Sequence, residues 1–386
     1  MLAISILIII WSCSDKNGST IFIGSKDHFS ENATNLENIF TPLMENQYNR
    51  YSFTQIYNDS LLFGMNPFIN KTKIDVINLL EPKKSYAIKL KEKEFSVNPS
   101  SFFIHNLDSI FLLQPSSKEI SLINSSGELI EKFDFNKPIL EKYELLEFLP
   151  LKPIFHDGNL YVNVRPIGLL ENSDFLSLPQ FLQVNTLTNE LLLLGEMNSI
   201  AAYLGNNEVN TDFYSPYYQV INSNLLIIYP FYPFLIQINL DSPKSTPKFH
   251  PIKSQYVEKT SPLASSRIHE DQFLNATYRS SITTFSDLNF HKGSKLISII
   301  FMHPFESLSA EGRLKSWNSR ESSLIIMDTS FAITSEIKFR NGELLMNASI
   351  PFSSSLRIAN SIENEKIEDS LHYYRHIDFS KMSRKH

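Results

Sequence analysis

The sequence predicts an all-β protein, a β-propeller of six four-stranded blades. Three observations lead there. Apolar runs of strand length, each opened by a polar turn, recur six times beyond residue 50. Each is followed by a second, alternating run that usually closes on Asn or Asp. A loop containing proline lies between the two members of each pair.

The turn-and-run segments are NDSLLFG (58–64), LDSIFLL (107–113), DGNLYVN (157–163), NSNLLII (222–228), KGSKLISII (292–300) and NGELLMN (341–347). Their followers are IDVIN (74–78), ISLIN (120–124), LQVN (182–185), LIQIN (235–239), LIIMD (324–328) and LRIAN (356–360). Strand alternation, turn punctuation and a period of about 50 residues are the signature of propeller repeats. A single four-stranded sheet with two apolar faces cannot bury both; radial stacking buries them and leaves only short edges. In one unit, residues 101–105, 109–113, 119–124 and 129–135 are expected to form strands A, B, C and D. The last unit is irregular, because only one strand fits between Asp328 and Asn341. A first strand near 20–24 would supply the missing edge and close the ring. Alternatively LHYYRHIDF (371–379), rather than LRIAN, is the last C strand. Residues 247–290 are expected to be an insertion between blades, and a division into two domains near residue 245 is the alternative organisation.

Composition fits a globular chain of 386 residues, with 42% hydrophobic and 20% charged residues. Glycine is scarce, 11 in all, so Asn, Asp, Ser and Pro must build most turns. Net charge is −6 and the Lys and Arg residues are scattered, which argues against a nucleic-acid partner.

The N-terminus carries a different signal. Residues 2–11 are almost wholly apolar, too short to span a bilayer and the right length for a signal-peptide core. The run ends in Ile10-Trp11-Ser12-Cys13 and turns polar at once. Cys13 is the sole cysteine, which excludes an internal disulfide and any Cys-x-x-Cys site. The pattern resembles a bacterial lipobox, in which the thiol accepts the lipid, although Trp11 is bulky there and no Lys or Arg precedes the run. Residues 1–12 are then a lipoprotein signal peptide, 13–50 a tether and entry segment, and 51–386 the propeller.

The lipobox, the turn signature and the continuation ISLIN-x-x-G-E-L resemble bacterial lipoproteins of the six-bladed, TolB-like propeller type, a group of domains of unknown function. The resemblance implies the fold and a place in the cell envelope, on the periplasmic or surface side. It implies no catalytic residues.

The proline loops join strands B and C, so they share one face of a propeller. The residues before these prolines, Asn66, Gln114, Arg165, Tyr232 and His303, form a candidate ligand ring with nearby aromatics. Aromatic faces stack on sugars while Arg and amides hydrogen-bond in fixed geometry. Arg313 and Trp317, in the long loop 301–323, extend it. The same prolines have an architectural reading, since proline ends a strand by removing a ladder donor. His105, His156 and His291 recur before A–B turns on the opposite face, too dispersed for a metal site. No nucleophile elbow, zincin helix, phosphate loop or dinucleotide fingerprint is present, and no cofactor is implied. The expected function is that of a membrane-anchored binding module for a glycan, peptide or envelope protein. The alternative is a hydrolase or lyase acting on a carbohydrate or lactone in the central channel.

Overall fold

The computed structural model describes residues 35–40, 51–67, 70–91, 95, 98–135, 137–145, 153–167, 178–196, 216–230, 232–254, 283–305, 320–340, 343–360 and 371–379. Its strands form six antiparallel sheets. The first blade contains β2 (Phe53–Tyr57), β3 (Leu61–Asn66), β4 (Asn70–Asn78) and β5 (Tyr86–Lys89). The second contains β6 (Ser101–Asn106), β7 (Ser109–Gln114), β8 (Glu119–Ile123) and β9 (Leu129–Asp134), within a residue or so of the strands read from the sequence. In the third, the A position is shared by β10 (Tyr143–Leu145) and β11 (Ile154–His156), which pair with the two ends of β12 (Asn159–Pro166). β13 (Phe181–Asn185) and β14 (Leu191–Leu194) complete it.

The fourth blade is β15 (Tyr217–Ile221), β16 (Asn224–Ile228), β17 (Phe234–Asn239) and β18 (Lys248–Pro251). The fifth is β19 (Thr284–His291), β20 (Leu296–Met302), β21 (Ser322–Asp328) and β22 (Ile333–Phe339). The sixth combines β23 (Leu344–Pro351), β24 (Ser355–Asn360) and β25 (Leu371–Asp378) with β1 (Asn35–Phe40) from the other end of the chain. The A strands touch in a closed cycle: β2, β6, β11, β15, β19, β23 and back to β2.

The apolar runs have no alternation because each B strand is covered on both faces. On β7, Ile110 and Leu112 pack toward the first blade while Phe111 and Leu113 pack toward the third. On β16, Leu225 and Ile227 face the third blade while Leu226 and Ile228 face the fifth. Among the described residues there are six apolar clusters, one at each seam. That between the sixth and first blades is the smallest, with Leu62, Ile77, Ile350 and Phe352 buried. There the ring of Tyr51 lies directly on Gly64, where a β-carbon would sit 2.5 Å from it. The Tyr51 hydroxyl donates to Asp75 Oδ2 at 3.1 Å.

Polar groups reinforce this seam. Asp59, in the first blade's A–B turn, accepts from the Ser353 backbone N–H at 2.8 Å and from the Ser353 hydroxyl. From the fifth blade, the N–H groups of Gly293 and Ser294 donate to the Ser353 carbonyl at 2.7 and 3.1 Å. The A–B turn of the closing blade is therefore held from both sides.

The Asn or Asp that ends a C strand caps the following turn. Asn78 Oδ1 accepts from the N–H groups of Leu80 and Glu81, Asn124 from Ser126 and Glu128, and Asn185 from Leu187 and Thr188. Asn239 caps Asp241, and Asp328 caps Ser330 and Ala332. These side chains do locally what glycine does elsewhere. Glycine is kept for a turn such as Asp157-Gly158, where both φ angles are positive (47° and 71°) and a two-residue hairpin loop needs them so.

Several boundaries differ from the sequence reading. Ring closure comes from Asn35–Phe40, paired from Asn35↔His376 to Phe40↔Leu371. Residues 20–24 lie outside the described residues, and β1 lies within the stretch read as tether and entry segment. In the sixth blade residues 344–351 form A, 355–360 form B and 371–378 form C, so the alternative holds: LHYYRHIDF, rather than LRIAN, is the last C strand. Pro351 consequently sits at an A–B turn, not in a B–C loop. The ends of 247–290 are blade strands, β18 and β19, and residues 255–282 between them lie outside the described residues. A boundary at 245 would cut the fourth blade between its C and D strands.

Two outcomes are expected. A chain lacking residues 1–34 keeps the thermal midpoint of the parent, whereas one lacking 1–50 loses β1 and unfolds at clearly lower temperature by circular dichroism. Asn124→Ala removes two accepted backbone bonds and lowers stability by about 1 kcal/mol in urea titration.

Candidate functional site

The A strands enclose an axial cavity of about 700 Å³. It runs from Ser52 and Tyr217, near the starts of their strands, to the A–B turns at Asp59, Asp157, Lys292 and Ser353. All six blades contribute wall residues. Two polar bridges hold neighbouring A strands together. Gln55 mimics a backbone partner, with Nε2 donating to the Ile104 carbonyl at 2.7 Å and Oε1 accepting from the Ile104 N–H at 2.8 Å. Asn289 Nδ2 donates to Ser349 Oγ at 3.1 Å.

Two A strands carry a one-residue bulge on this wall. In β6, Ile104 pairs with Ile110 and Asn106 with Ser109, leaving His105 as the extra residue. In β19, Ser286 pairs with Ile300 and Leu288 with Ile299, leaving Asp287 extra, with φ of 53°. A bulge re-aims a side chain and is common beside binding sites. The imidazole of His105 meets the Phe155 ring edge-on, 4.6 Å between centroids, and Phe155 is stacked on Phe111 at 5.2 Å. Partial burial, and then the charge of Lys292, hold the His105 pKa below the usual histidine value.

The proline-loop residues take other positions, and none of those described lines this cavity. Asn66 ends β3 and pairs with Asn70. Gln114 is buried and accepts from Ser121 Oγ at 2.6 Å. Arg165 forms an ion pair with Glu144 on the adjoining strand. Tyr232 is buried against Tyr229 in the seam between the third and fourth blades. His303 is buried, stacks on Phe301 and bonds Ser323 Oγ at 2.7 Å through Nε2. Arg313 and Trp317 lie outside the described residues, as does Cys13. Their neighbour Arg320 is 2% exposed, donates to the His303 carbonyl at 2.7 Å and faces the Phe305 ring. Burial draws its pKa down to about 10, so it remains a cation at neutral pH.

The three histidines before A–B turns separate into two roles. His105 and His156 line the cavity. His291 is fully buried; its Nδ1 donates to the Phe352 carbonyl at 2.8 Å and its Nε2 accepts from Ser298 Oγ at 2.8 Å. Among the described residues no three His, Cys, Asp or Glu groups are placed to hold a metal ion. Asp287, Gln219 and Asn289 went unmarked in the sequence reading, because each blade supplies only one or two wall residues and no local motif results.

These features define a closed six-bladed β-propeller with a polar axial cavity. Its fold is similar to that of a member of the DUF4221 family from Bacteroides vulgatus, at 17% identity and a TM-score of 0.71, covering 89% of this chain and 98% of that one. A putative exported protein from Bacteroides fragilis is also similar, at 12% identity and a TM-score of 0.50, covering 93% and 98%. At these identities the likeness is one of fold. The resemblance read from the sequence, to bacterial propellers of unknown function, agrees with the first. No family model matches the chain, and no curated protein matches it in sequence.

The buried imidazoles give a pH dependence. Burial holds both His291 and His303 at about 4, below the unfolded value near 6.5. The unfolded chain therefore binds more protons between these values. Stability from the neutral rings is full above about pH 6.5 and is lost as pH falls toward 4, on the order of 2–3 kcal/mol for each ring. Urea midpoints are expected to fall across this window, with a smaller fall in the His291→Gln, His303→Gln double variant.

Proposed function

We propose that this chain is a lipid-anchored cell-envelope protein whose propeller binds a small polar ligand in its axial cavity. The cavity carries the reading. Its volume of about 700 Å³ lies in the range of ordinary ligand sites. Its wall combines amides, imidazoles, carboxylates and aromatic rings held on the A strands and the tight turns that follow them. Anchoring rests on the apolar run before Cys13 and on the abrupt polar switch after it. A second reading, turnover of a carbohydrate or lactone at the same place, is favoured by His105, His156, Asp157 and Asp287 on the wall.

A ligand that binds only the native state stabilises it by about 2.7 kcal/mol at a hundredfold excess over its dissociation constant. Thermal shifts against glycans and short peptides are expected to be abolished by Gln219→Trp, which fills the cavity from the fourth blade. They are expected to persist in Arg165→Ala and His303→Ala. The reverse pattern would move the site to the proline-loop face. Retention of the bound compound unchanged, followed by NMR, separates binding from turnover. Incorporation of labelled palmitate that disappears in Cys13→Ser would establish the anchor, and equal labelling of both chains would refute it.

A further inference from the structure

The two bulged residues belong to the second and fifth blades, three apart in a ring of six, so they stand on opposite sides of the axis. Their backbone departs from the ladder where the cavity is, and in β19 it does so at a positive φ. Positive φ is uncommon outside glycine and tolerated best by Asn and Asp. Neither bulge is needed to end a strand, because both strands resume pairing beyond it. Each bulge places an additional side chain on the wall.

The surrounding chemistry limits the ligand. The charged side chains on the wall are the carboxylates of Asp59, Asp157 and Asp287 and the ammonium of Lys292, with Asp59 accepting from Ser353. This excess of carboxylates selects against an anionic ligand. Phe155 lines the wall and is fixed by stacking on Phe111 and by an edge contact with His105. A carboxylate accepting hydroxyl protons, an imidazole able to donate and accept, and a fixed aromatic ring suit one class of molecule. Resting on the axial-cavity reading above, we infer that His105 and Asp287 grip hydroxyl groups of a neutral mono- or disaccharide lying across the axis, with Phe155 as its apolar platform.

The test is calorimetric titration of the full chain with glucose, galactose, N-acetylglucosamine, cellobiose and maltose. Glycylglycine and putrescine serve as charged comparison probes. At least one sugar should bind, and Asp287→Asn and His105→Gln should each weaken it tenfold or more, while Arg165→Ala leaves it unchanged. Asn tolerates the positive φ of position 287, so Asp287→Asn should fold, and an unaltered thermal midpoint checks that it does. A sugar bound equally by parent and variants would overturn the role of the pair. Binding of glycylglycine or putrescine in place of sugars, lost in Gln219→Trp, would overturn the sugar assignment and leave the cavity reading standing. No binding of any probe would overturn this inference, while a shift by some other compound that Gln219→Trp abolishes would still support the cavity.

Discussion

Five of the six blades carry apolar side chains on both faces of the B strand among the described residues, and that two-sidedness constrains everything else. Ile110 and Leu112 need the first blade, while Phe111 and Leu113 need the third. A blade with one neighbour missing exposes a hydrophobic sheet face to water. A linear array would leave two such faces at its ends, whereas a ring leaves none. Closure joins segments from opposite ends of the chain, β1 and β25, through backbone pairing. The seam with the first blade has the smallest described apolar cluster, and there Asp59 accepts from the backbone and hydroxyl of Ser353. Directional hydrogen bonds add to hydrophobic area where that area is least.

The parts of the fold legible in the sequence were those whose physics leaves a local mark. Two-sided burial writes B strands as unbroken apolar runs. Scarce glycine forces Asn or Asp into the C–D turns, so ISLIN and LIQIN announce both a strand and its end. Other features leave no such mark. NLENIF pairs with a strand more than 330 residues away, and nothing near it signals an edge. LLMNASIP is an A strand with the look of a B strand, which displaced the register of the last unit. In the third blade two short segments share one position, so neither is long enough to read alone.

The cavity was less legible still. Proline loops are conspicuous in a sequence, but the residues before them, such as Gln114 and His303, bond within their own blades. The cavity wall is assembled from A strands that contribute a few residues each, across more than 300 positions of chain. Bulges have no reliable sequence signature, so Asp287 looks like any Asp in an alternating strand. His105 and His156 stood out only because they recur at one point of the repeat. The third member of that set, His291, is a core residue clamped between Phe352 and Ser298.

Position around the ring therefore decides what each side chain does, and the pairing of β1 with β25 completes the last blade of that ring. The most direct measurement is oxidative crosslinking across β1 and β25 in a chain with Cys13 replaced by Ser. Paired cysteines would be placed separately at Asn38 with Tyr373 and at Glu37 with Tyr374, which are register partners. Adjacent antiparallel pairs alternate between Cα separations of about 5.5 and about 4.5 Å, both within disulfide range. The account predicts that at least one pair crosslinks under mild oxidation and raises the unfolding temperature. Failure of both, or equal crosslinking of the out-of-register pair Asn38 with His376, would contradict closure by this strand.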